Sequence, residues 1–215
     1  MLEYNSLSIE TGSKVYVPAE DSLLAARLVS GHLAKERRRG LETIDIGTGT
    51  GILGLVMAMD RHVRSVRLSD INPDAVDLAR RNYERNKDKL HASCLFSVAD
   101  MFPIADEKYD VIMFNAPYLN KENGEKGEPW WDGGKEGVEV SLRFMEGAKM
   151  HMKSGGSVFL VYSSLGNEGK LLEGINKLGF VILETRSEHY FFEDIRVSRM
   201  VKGPRSHRAL SGESV

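Results

Sequence analysis

A glycine-rich turn between a strand and a helix is the feature that most constrains how this chain can fold. An apolar run at 41–46 is followed by Gly47-Thr48-Gly49-Thr50-Gly51, and an apolar stretch at 52–59 then has the composition of a buried helix. The glycines permit backbone conformations and a close ligand approach that any Cβ would block. A second strand at 63–69 ends in Asp70, whose carboxylate can accept hydrogen bonds from both hydroxyls of a ribose. The motif therefore predicts a βαβ unit that binds an adenosine-containing ligand.

The glycine pattern alone leaves the identity of that ligand open. Gly49-x-Gly51-x-x-Gly54 also satisfies the dinucleotide fingerprint, so both NAD and S-adenosylmethionine fit it. An ATP-binding P-loop is not predicted, because no Gly-Lys-Ser/Thr sequence follows the turn. The choice therefore depends on a second motif.

The second motif is Asn115-Ala116-Pro117-Tyr118, directly behind the apolar run at 109–114. Such a run, stopped by Asn and Pro, predicts a buried strand that ends abruptly. The Asn115 side-chain oxygen and the Ala116 carbonyl can accept both hydrogens of a planar NH2 group, while Tyr118 can stack on its plane. With a methyl donor bound beside it, this arrangement predicts methylation of a planar nitrogen. A plain turn is the alternative reading of the same four residues.

Strand-like and helical segments alternate along most of the chain. Helices are predicted at 19–37, from Asn72-Pro73 to about 87, at 136–152 and at 168–178, with further strands at 92–98, 156–163, 180–187 and 194–201. Alternation of this kind indicates an α/β fold with a mainly parallel sheet covered on both faces. The last two strands, joined by a short turn near 189–193, are predicted to form an antiparallel hairpin.

Together these motifs resemble the class I S-adenosylmethionine-dependent methyltransferases and, within them, the HemK-like protein-(glutamine-N5) methyltransferases. Residues Val15–Ser22 resemble that family's Tyr-x-Pro-Ala-Glu-Asp-Ser/Thr segment, and Asp45–Gly51 its cofactor loop. Asp70–Pro73 resembles its ribose-binding turn, Asn115–Tyr118 its Asn-Pro-Pro-Tyr signature, and Trp131–Gly137 its Gly-Gly-x-x-Gly segment. The resemblance covers most of the chain and is greatest to the archaeal and eukaryotic branch, which modifies the glutamine of the Gly-Gly-Gln motif in class 1 release factors.

The resemblance implies a single-domain, Rossmann-like, seven-stranded methyltransferase sheet, mainly parallel, with an antiparallel C-terminal hairpin. We expect residues 1–40 to complete the donor pocket, residues 41–202 to form the methyltransferase core, and residues 203–215 to be a disordered tail. The expected cofactor is S-adenosylmethionine and the expected protein substrate a class 1 release factor. The resemblance also implies a small zinc-binding activator protein that adds to the sheet edge.

The same resemblance assigns the candidate site residues. The catalytic set is Asn115, Ala116, Pro117 and Tyr118; the cofactor-binding set is Glu20, Asp45, Gly47, Gly49, Gly51, Asp70, Ile71, Asp100, Met101 and Asn115.

Several of these assignments have a simpler alternative. Asp100 is expected to receive the adenine amino group, although it could cap a turn instead. Glu20 and Asp21 are expected to line the donor pocket, although carboxylates also suit the first turn of any helix. Ala116 replaces the usual family proline, and we expect little chemical effect because the acceptor there is a backbone carbonyl.

Composition fits one cytoplasmic enzyme. The chain has 215 residues, a formal net charge of −2 and a single cysteine, Cys94. The near-neutral charge gives no nucleic-acid signal, so direct nucleic-acid binding is not expected. One cysteine excludes an internal disulfide and a Cys-cluster zinc site, and the six scattered histidines show no ligand spacing, so no metal is expected. No window is apolar enough to span a membrane.

A long connection at 119–135 contains Trp130-Trp131 and separates the Asn115 motif from the next helix. Structureless connections of this length are often lids or binding loops, so we expect it to cover the substrate. The alternative is that Trp131 only anchors the start of the following helix.

Three other functions remain open from the sequence. An adenine-N6 methyltransferase acting on RNA or DNA would use the same Asn115–Tyr118 motif on a flipped base. An NAD-dependent dehydrogenase would share the glycine loop but would give that motif no role. A non-catalytic methyltransferase-like protein would bind a partner and transfer nothing.

Overall fold

The computed structural model describes residues 1–117, 138–190 and 193–204. The helices are α1 (Glu20–Leu33), α2 (Ile52–Ala58), α3 (Pro73–Asn86), α4 (Glu139–His151) and α5 (Glu168–Lys177). The strands are β1 (Leu2–Tyr4), β2 (Leu7–Ile9), β3 (Leu41–Ile46), β4 (Val63–Asp70), β5 (Ser93–Val98), β6 (Tyr109–Asn115), β7 (Met152–Ser163), β8 (Phe180–Tyr190) and β9 (Glu193–Lys202). No helix among the described residues is both long and apolar enough to cross a membrane.

Seven strands form one sheet in the order β5-β4-β3-β6-β7-β9-β8. Strands β5, β4, β3, β6 and β7 pair in parallel, and β9 pairs antiparallel with both β7 and β8. The predicted α/β fold with an antiparallel C-terminal hairpin is therefore confirmed. The strand order reverses between β3 and β6, so a crevice opens beside their carboxyl ends, where ligands bind in sheets of this kind.

The central strand β6 shows why the sheet needs helices on both faces. Its residues are buried almost without interruption, as expected for a strand covered on both sides. Val111 and Met113 pack in the core beneath α1 and α2, whereas Ile112 and Phe114 pack in the core beneath α4 and α5. The two cores hold β6 rigidly, so its last residue, Asn115, is presented at a defined position.

The start of α3 forms as the sequence predicts. Asn72 caps the helix, because its side-chain oxygen accepts a hydrogen bond from the Asp74 backbone N–H at 2.9 Å. Pro73 occupies the first turn, where its missing N–H costs nothing.

Several boundaries differ from the sequence-based expectations. Helix α1 ends at Leu33 and not near 37, and β7 begins at Met152, four residues before the predicted start at 156. The two-stranded β1–β2 hairpin was not predicted, because three-residue strands are too short to show a period. The Trp130-Trp131 connection and most of the expected tail, residues 205–215, lie outside the described residues.

Candidate active site

A cavity of about 330 Å³ opens at the carboxyl ends of β3, β4 and β6. Its wall is built from the segment before and at the start of α1, the glycine loop with the start of α2, the turns after β4 and β5, the end of β6, and residues of α3 and α4. The residues concerned are Val15, Tyr16, Pro18, Asp21, Ser22, Ile46–Leu53 without Gly51, Asp70–Asn72, Ala75, Ala99–Met101, Phe114–Pro117, Val140 and Arg143.

The glycines of the loop all have positive φ, and at two of them a Cβ would also meet a close neighbour. Gly47 has φ of 60°, and a Cβ there would lie 3.0 Å from Phe114 Cε2. Gly51 has φ of 87° at the start of α2, and a Cβ there would lie 3.0 Å from the Ala79 Cβ. Gly49 also has positive φ, of 56°. The loop is therefore a shallow cradle whose backbone faces the cavity at Gly47 and Gly49.

Asp45 holds this loop by hydrogen bonds and does not itself line the cavity. Its Oδ2 accepts hydrogen bonds from Thr48 Oγ1 at 2.6 Å and from the Gly54 backbone N–H at 2.9 Å. Its Oδ1 is buried and has no hydrogen-bond partner among the described residues. Burial raises the pKa of the Asp45 carboxyl to about 7, so its ionised form is held at a cost.

Asp70 lies at the carboxyl end of β4 and faces the cavity. Its Oδ2 accepts from the Gly49 backbone N–H and its Oδ1 accepts from the Asn72 backbone N–H, both at 2.9 Å. Burial raises the pKa of this carboxyl, while these backbone N–H groups oppose the increase. Each oxygen keeps further lone-pair capacity, so the carboxylate can accept additional hydrogen bonds from a ligand.

Asn115 is the most informative side chain of the site. Its Nδ2 donates to Asp21 Oδ2 at 2.9 Å and to Ser22 Oγ at 3.2 Å. A carboxylate offers only acceptors, so Asp21 requires the NH2 end of the Asn115 amide to face α1. The Asn115 Oδ1 consequently points the other way; it is buried and has no partner among the described residues. The site thus contains a fixed, unused acceptor.

The start of α1 supplies the group that orients Asn115. Asp21 is itself held through Oδ1, which accepts from the Tyr16 hydroxyl and the Ser22 hydroxyl, both at 3.1 Å. Asp21 and Ser22 are buried, whereas Glu20 is exposed and is not among the cavity residues. The structure therefore does not bring Glu20 to the site, because the helix turns consecutive side chains in different directions. Ser22 was not predicted as a site residue, although it follows Asp21 in the family segment at 15–22.

The turns after β4 and β5 form the rim. Asp100 lines the cavity, and its carboxylate makes a bidentate pair with Arg143 of α4, at 2.6 and 2.9 Å. Met101 has φ of 68°, and its carbonyl accepts from Ser69 Oγ at 3.1 Å. Ile71 is 67% exposed and offers an uncovered apolar surface beside Asp70. Arg143 was not predicted, because no local pattern connects α4 to the end of β5.

The remaining predicted residues lie at the end of β6. Ala116 is buried and lines the cavity together with Pro117. Tyr118 lies outside the described residues. Among residues 1–117, 138–190 and 193–204, no group of three or more His, Cys, Asp or Glu side chains is placed to hold a metal ion.

The sequence profile described as "Methyltransferase small domain" matches residues 19–186, which include the glycine loop, Asp70 and the end of β6. The chain belongs to the methyltransferase small domain family. The family resemblance drawn from the motifs is thus confirmed, and the chain is a methyltransferase. The dehydrogenase alternative is set aside, because the Asn115 motif has a place in this family and none in that one.

Similar proteins of this family are named for glutamine methylation. A putative protein N5-glutamine methyltransferase of Methanocaldococcus jannaschii is 31% identical over 201 residues, covering 92% of this chain and 96% of that protein. A release factor glutamine methyltransferase of Streptococcus pneumoniae is 26% identical over 167 residues, which are 74% of this chain. The aligned region spans only 57% of that bacterial protein.

A solved structure shares the fold of this methyltransferase. The E. cuniculi Mtq2–Trm112 complex, described as responsible for methylation of the eRF1 translation termination factor, matches with a TM-score of 0.61. The match covers 88% of this chain and 99% of that one at 22% identity. At this identity the likeness shows the fold alone.

Proposed function

We propose that this methyltransferase moves a methyl group from S-adenosylmethionine to the side-chain amide nitrogen of the Gly-Gly-Gln glutamine in a class 1 release factor. The observation that carries the proposal is that Asn115 lines the cavity while its buried Oδ1 has no partner among the described residues. An amide NH2 offers two hydrogens, and this oxygen is an acceptor that the described protein residues leave unused. The names of the relatives support the choice of a glutamine amide.

The cavity fits the proposed donor. Its volume of about 330 Å³ lies within the range of small-molecule sites. Asp70 would hold the ribose hydroxyls, the backbone of Gly47 and Gly49 would pass close to the donor, and Asp100 would accept from the adenine amino group. Ile71 would cover an adenine face with its exposed apolar side chain. When bound, the donor supplies an electrophilic methyl group on a positively charged sulfur.

The residues at the end of β6 would prepare the acceptor nitrogen. A carboxamide nitrogen is a poor nucleophile, because its lone pair is delocalised into the carbonyl. Asn115 Oδ1 and the Ala116 carbonyl would accept its two hydrogens and fix the plane of the amide. These bonds strengthen as positive charge develops on the nitrogen, which is electrostatic stabilisation of the transition state. The rest of the rate gain comes from alignment of the two reactants.

Asp21 would keep this acceptor in place during the reaction. If the Asn115 amide rotated by half a turn, its NH2 group would face the substrate NH2 and its oxygen would face the Asp21 carboxylate. Both contacts would be unfavourable. The charge-assisted hydrogen bond from Asn115 Nδ2 to Asp21 Oδ2 at 2.9 Å therefore selects the orientation in which the oxygen faces the substrate.

We further propose a small zinc-binding activator protein and a cytoplasmic location. The activator is suggested by the family resemblance, and a two-protein complex is the form of the Mtq2–Trm112 structure. Such a partner would add to an edge of the sheet, where backbone groups of β5 or β8 are not paired by another strand of the sheet.

The test is a transfer reaction with isotopically labelled S-adenosylmethionine and a class 1 release factor, with and without the activator. Peptide mapping by mass spectrometry should find one methyl group on the Gly-Gly-Gln glutamine. A release factor with that glutamine replaced should remain unlabelled. Label on adenine in RNA or DNA, with the release factor unmodified, would overturn the proposal in favour of the adenine-N6 alternative.

A further inference from the structure

Three asparagines of α3 and its cap hold the N-terminal segment against the body of the protein. Asn72 Nδ2 donates to the Lys14 carbonyl at 2.9 Å. Asn82 and Asn86 bind residues 10 and 8 by paired bonds, each amide accepting from the backbone N–H and donating to the carbonyl of the same residue, at 2.7 to 2.9 Å. Both Asn82 and Asn86 are fully buried.

The spacing of Asn82 and Asn86 explains why they act as a pair. Residues four apart on a helix lie on one face, about 6 Å apart along the axis. Alternate residues of an extended chain, such as Ser8 and Glu10, repeat at about 6.6 Å. The two amides therefore bind the backbone groups of Ser8 and Glu10 in the way that a neighbouring strand would.

Asn82 makes one further bond that Asn86 does not. Its Nδ2 also donates to the Thr50 carbonyl at 2.9 Å, in a buried contact. Thr50 belongs to the glycine loop and lines the cavity. The second donor bond of Asn86 goes instead to the backbone carbonyl of Asn82, within α3 itself, at 2.7 Å. Asn82 alone of the two therefore joins the N-terminal segment to the cofactor loop.

The two parts that Asn82 joins both lead to groups that line the site. The N-terminal segment leads to Tyr16 and Asp21, and Asp21 orients the Asn115 amide. The loop that contains Thr50 also contains Gly49, whose backbone N–H donates a hydrogen bond to Asp70 Oδ2. A shift of the loop relative to the segment would therefore separate the donor-binding wall from the wall that orients the acceptor.

We propose that Asn82 is a positioning residue that locks the glycine loop to the N-terminal segment and thereby sets the affinity for the methyl donor. The inference rests on the proposed function, since it concerns the donor cavity. Without the bond to Thr50, the loop adopts other conformations as well. The apparent donor affinity then falls in proportion to the fraction of molecules whose loop can still bind the donor.

Asn86 provides the matched control, because it is equally buried and holds the same segment without touching the loop. Calorimetry with S-adenosylhomocysteine is expected to show a Kd about tenfold weaker for Asn82→Ala, the effect of losing one buried hydrogen bond. Asn86→Ala should stay within about twofold of the wild type, although both variants lose thermal stability. Equal donor affinities in the two folded variants would overturn the inference. Should Asn82→Ala not fold, Asn82→Ser keeps one donor and is expected to show the same order of affinities.

Hydrogen exchange on the wild-type protein gives a second measurement that requires no variant. Adding S-adenosylhomocysteine should slow exchange of the Glu10 N–H, which is held by Asn82, more than exchange of the Ser8 N–H, which is held by Asn86. Equal slowing at the two positions would contradict the coupling. Neither experiment uses a methyl acceptor, so normal donor binding without transfer to the release factor would contradict only the proposed substrate.

Discussion

At the scale of single residues, the site contains two side chains, Asn115 and Asp45, that each use some of their polar atoms in hydrogen bonds and leave one buried oxygen without a partner among the described residues. Asn115 gives both amide hydrogens to α1, while its oxygen has no partner among the described residues. Asp45 uses one carboxylate oxygen for the loop and likewise leaves the other without a partner there. Both arrangements are costly in the folded protein, because unpaired buried polar atoms lose their hydration. Such cost is characteristic of functional positions.

Replacing Asn115 should test the acceptor role directly. Asn115→Ala is expected to lower the single-turnover rate of methyl transfer by about 10²–10³, by analogy with removal of one oxyanion-hole group. Donor affinity measured by calorimetry should change much less. Asn167→Ala, which removes an exposed helix cap outside the cavity, is the control and should leave the rate unchanged. Normal transfer by Asn115→Ala would rule out the amide clamp.

The Asp45 carboxyl should make stability depend on pH. Its pKa is raised from 3.8 in the unfolded chain to about 7 in the fold, because burial disfavours the ionised form. Its contribution to stability is therefore fully present below about pH 4 and is lost as the pH rises towards about 7. Urea unfolding at pH 5 and pH 8 should show the wild type losing more stability than Asp45→Asn. A difference between the two proteins that does not change with pH would contradict this assignment.

At the scale of elements, the start of α2 lies close to both α3 and β4 behind the glycine loop. The Gly51 Cα lies so close to α3 that a Cβ would be 3.0 Å from the Ala79 Cβ. Gly54 is similarly packed, since a Cβ there would lie 2.7 Å from Leu68 Cδ2. Gly51 and Gly54 thus serve packing, because each lets α2 lie close to a neighbouring element.

Gly51→Ala and Gly40→Ala should separate packing from backbone strain. Both glycines have positive φ, of 87° and 74°, but a Cβ at Gly40 would meet nothing within 4 Å. Gly40→Ala is expected to cost about 1–2 kcal/mol of unfolding free energy, from backbone strain alone. Gly51→Ala should cost more and should also weaken donor binding, because α2 and α3 must move apart. Equal costs in chemical denaturation would show that the contact with Ala79 is unimportant.

At the scale of the whole molecule, the two edges of the sheet differ in their position relative to the site. The β5 edge exposes Leu95 and Val98, and Val98 lies opposite Asp70 in the register with β4. The β8 edge exposes Val181 and Leu183 near the start of that strand, at the end of the sheet away from the cavity. A partner that influences the donor site is therefore expected at β5.

A charge placed on each edge should identify where the proposed activator binds. Val98→Lys is expected to weaken activator binding in a pull-down or titration at least tenfold, because it buries an unpaired charge in the interface. Leu183→Lys introduces the same charge at the other edge and should bind the activator normally. The reverse order of effects would place the activator on β8.

Much of the site follows from the sequence because its determinants are local. The glycine turn, Asp70 and the Asn115 motif each stand at the carboxyl end of a strand, and the carboxyl ends of parallel strands meet at one edge of the sheet. Knowing that the strands are parallel is therefore enough to bring these residues together. The Asn72-Pro73 helix start is equally local, since a cap acts within one turn of its helix.

The tertiary structure alone decided how these residues are held. The Asn115 amide is oriented by Asp21, 94 positions earlier, and Asn82 reaches Glu10 and Thr50 across 72 and 32 positions. The choice of Asp21 over Glu20 depends on the rotation of α1 against the sheet, and that rotation results from packing along the entire helix. Sequence patterns record the periods of single elements, whereas hydrogen bonds between distant side chains depend on how those elements pack against one another.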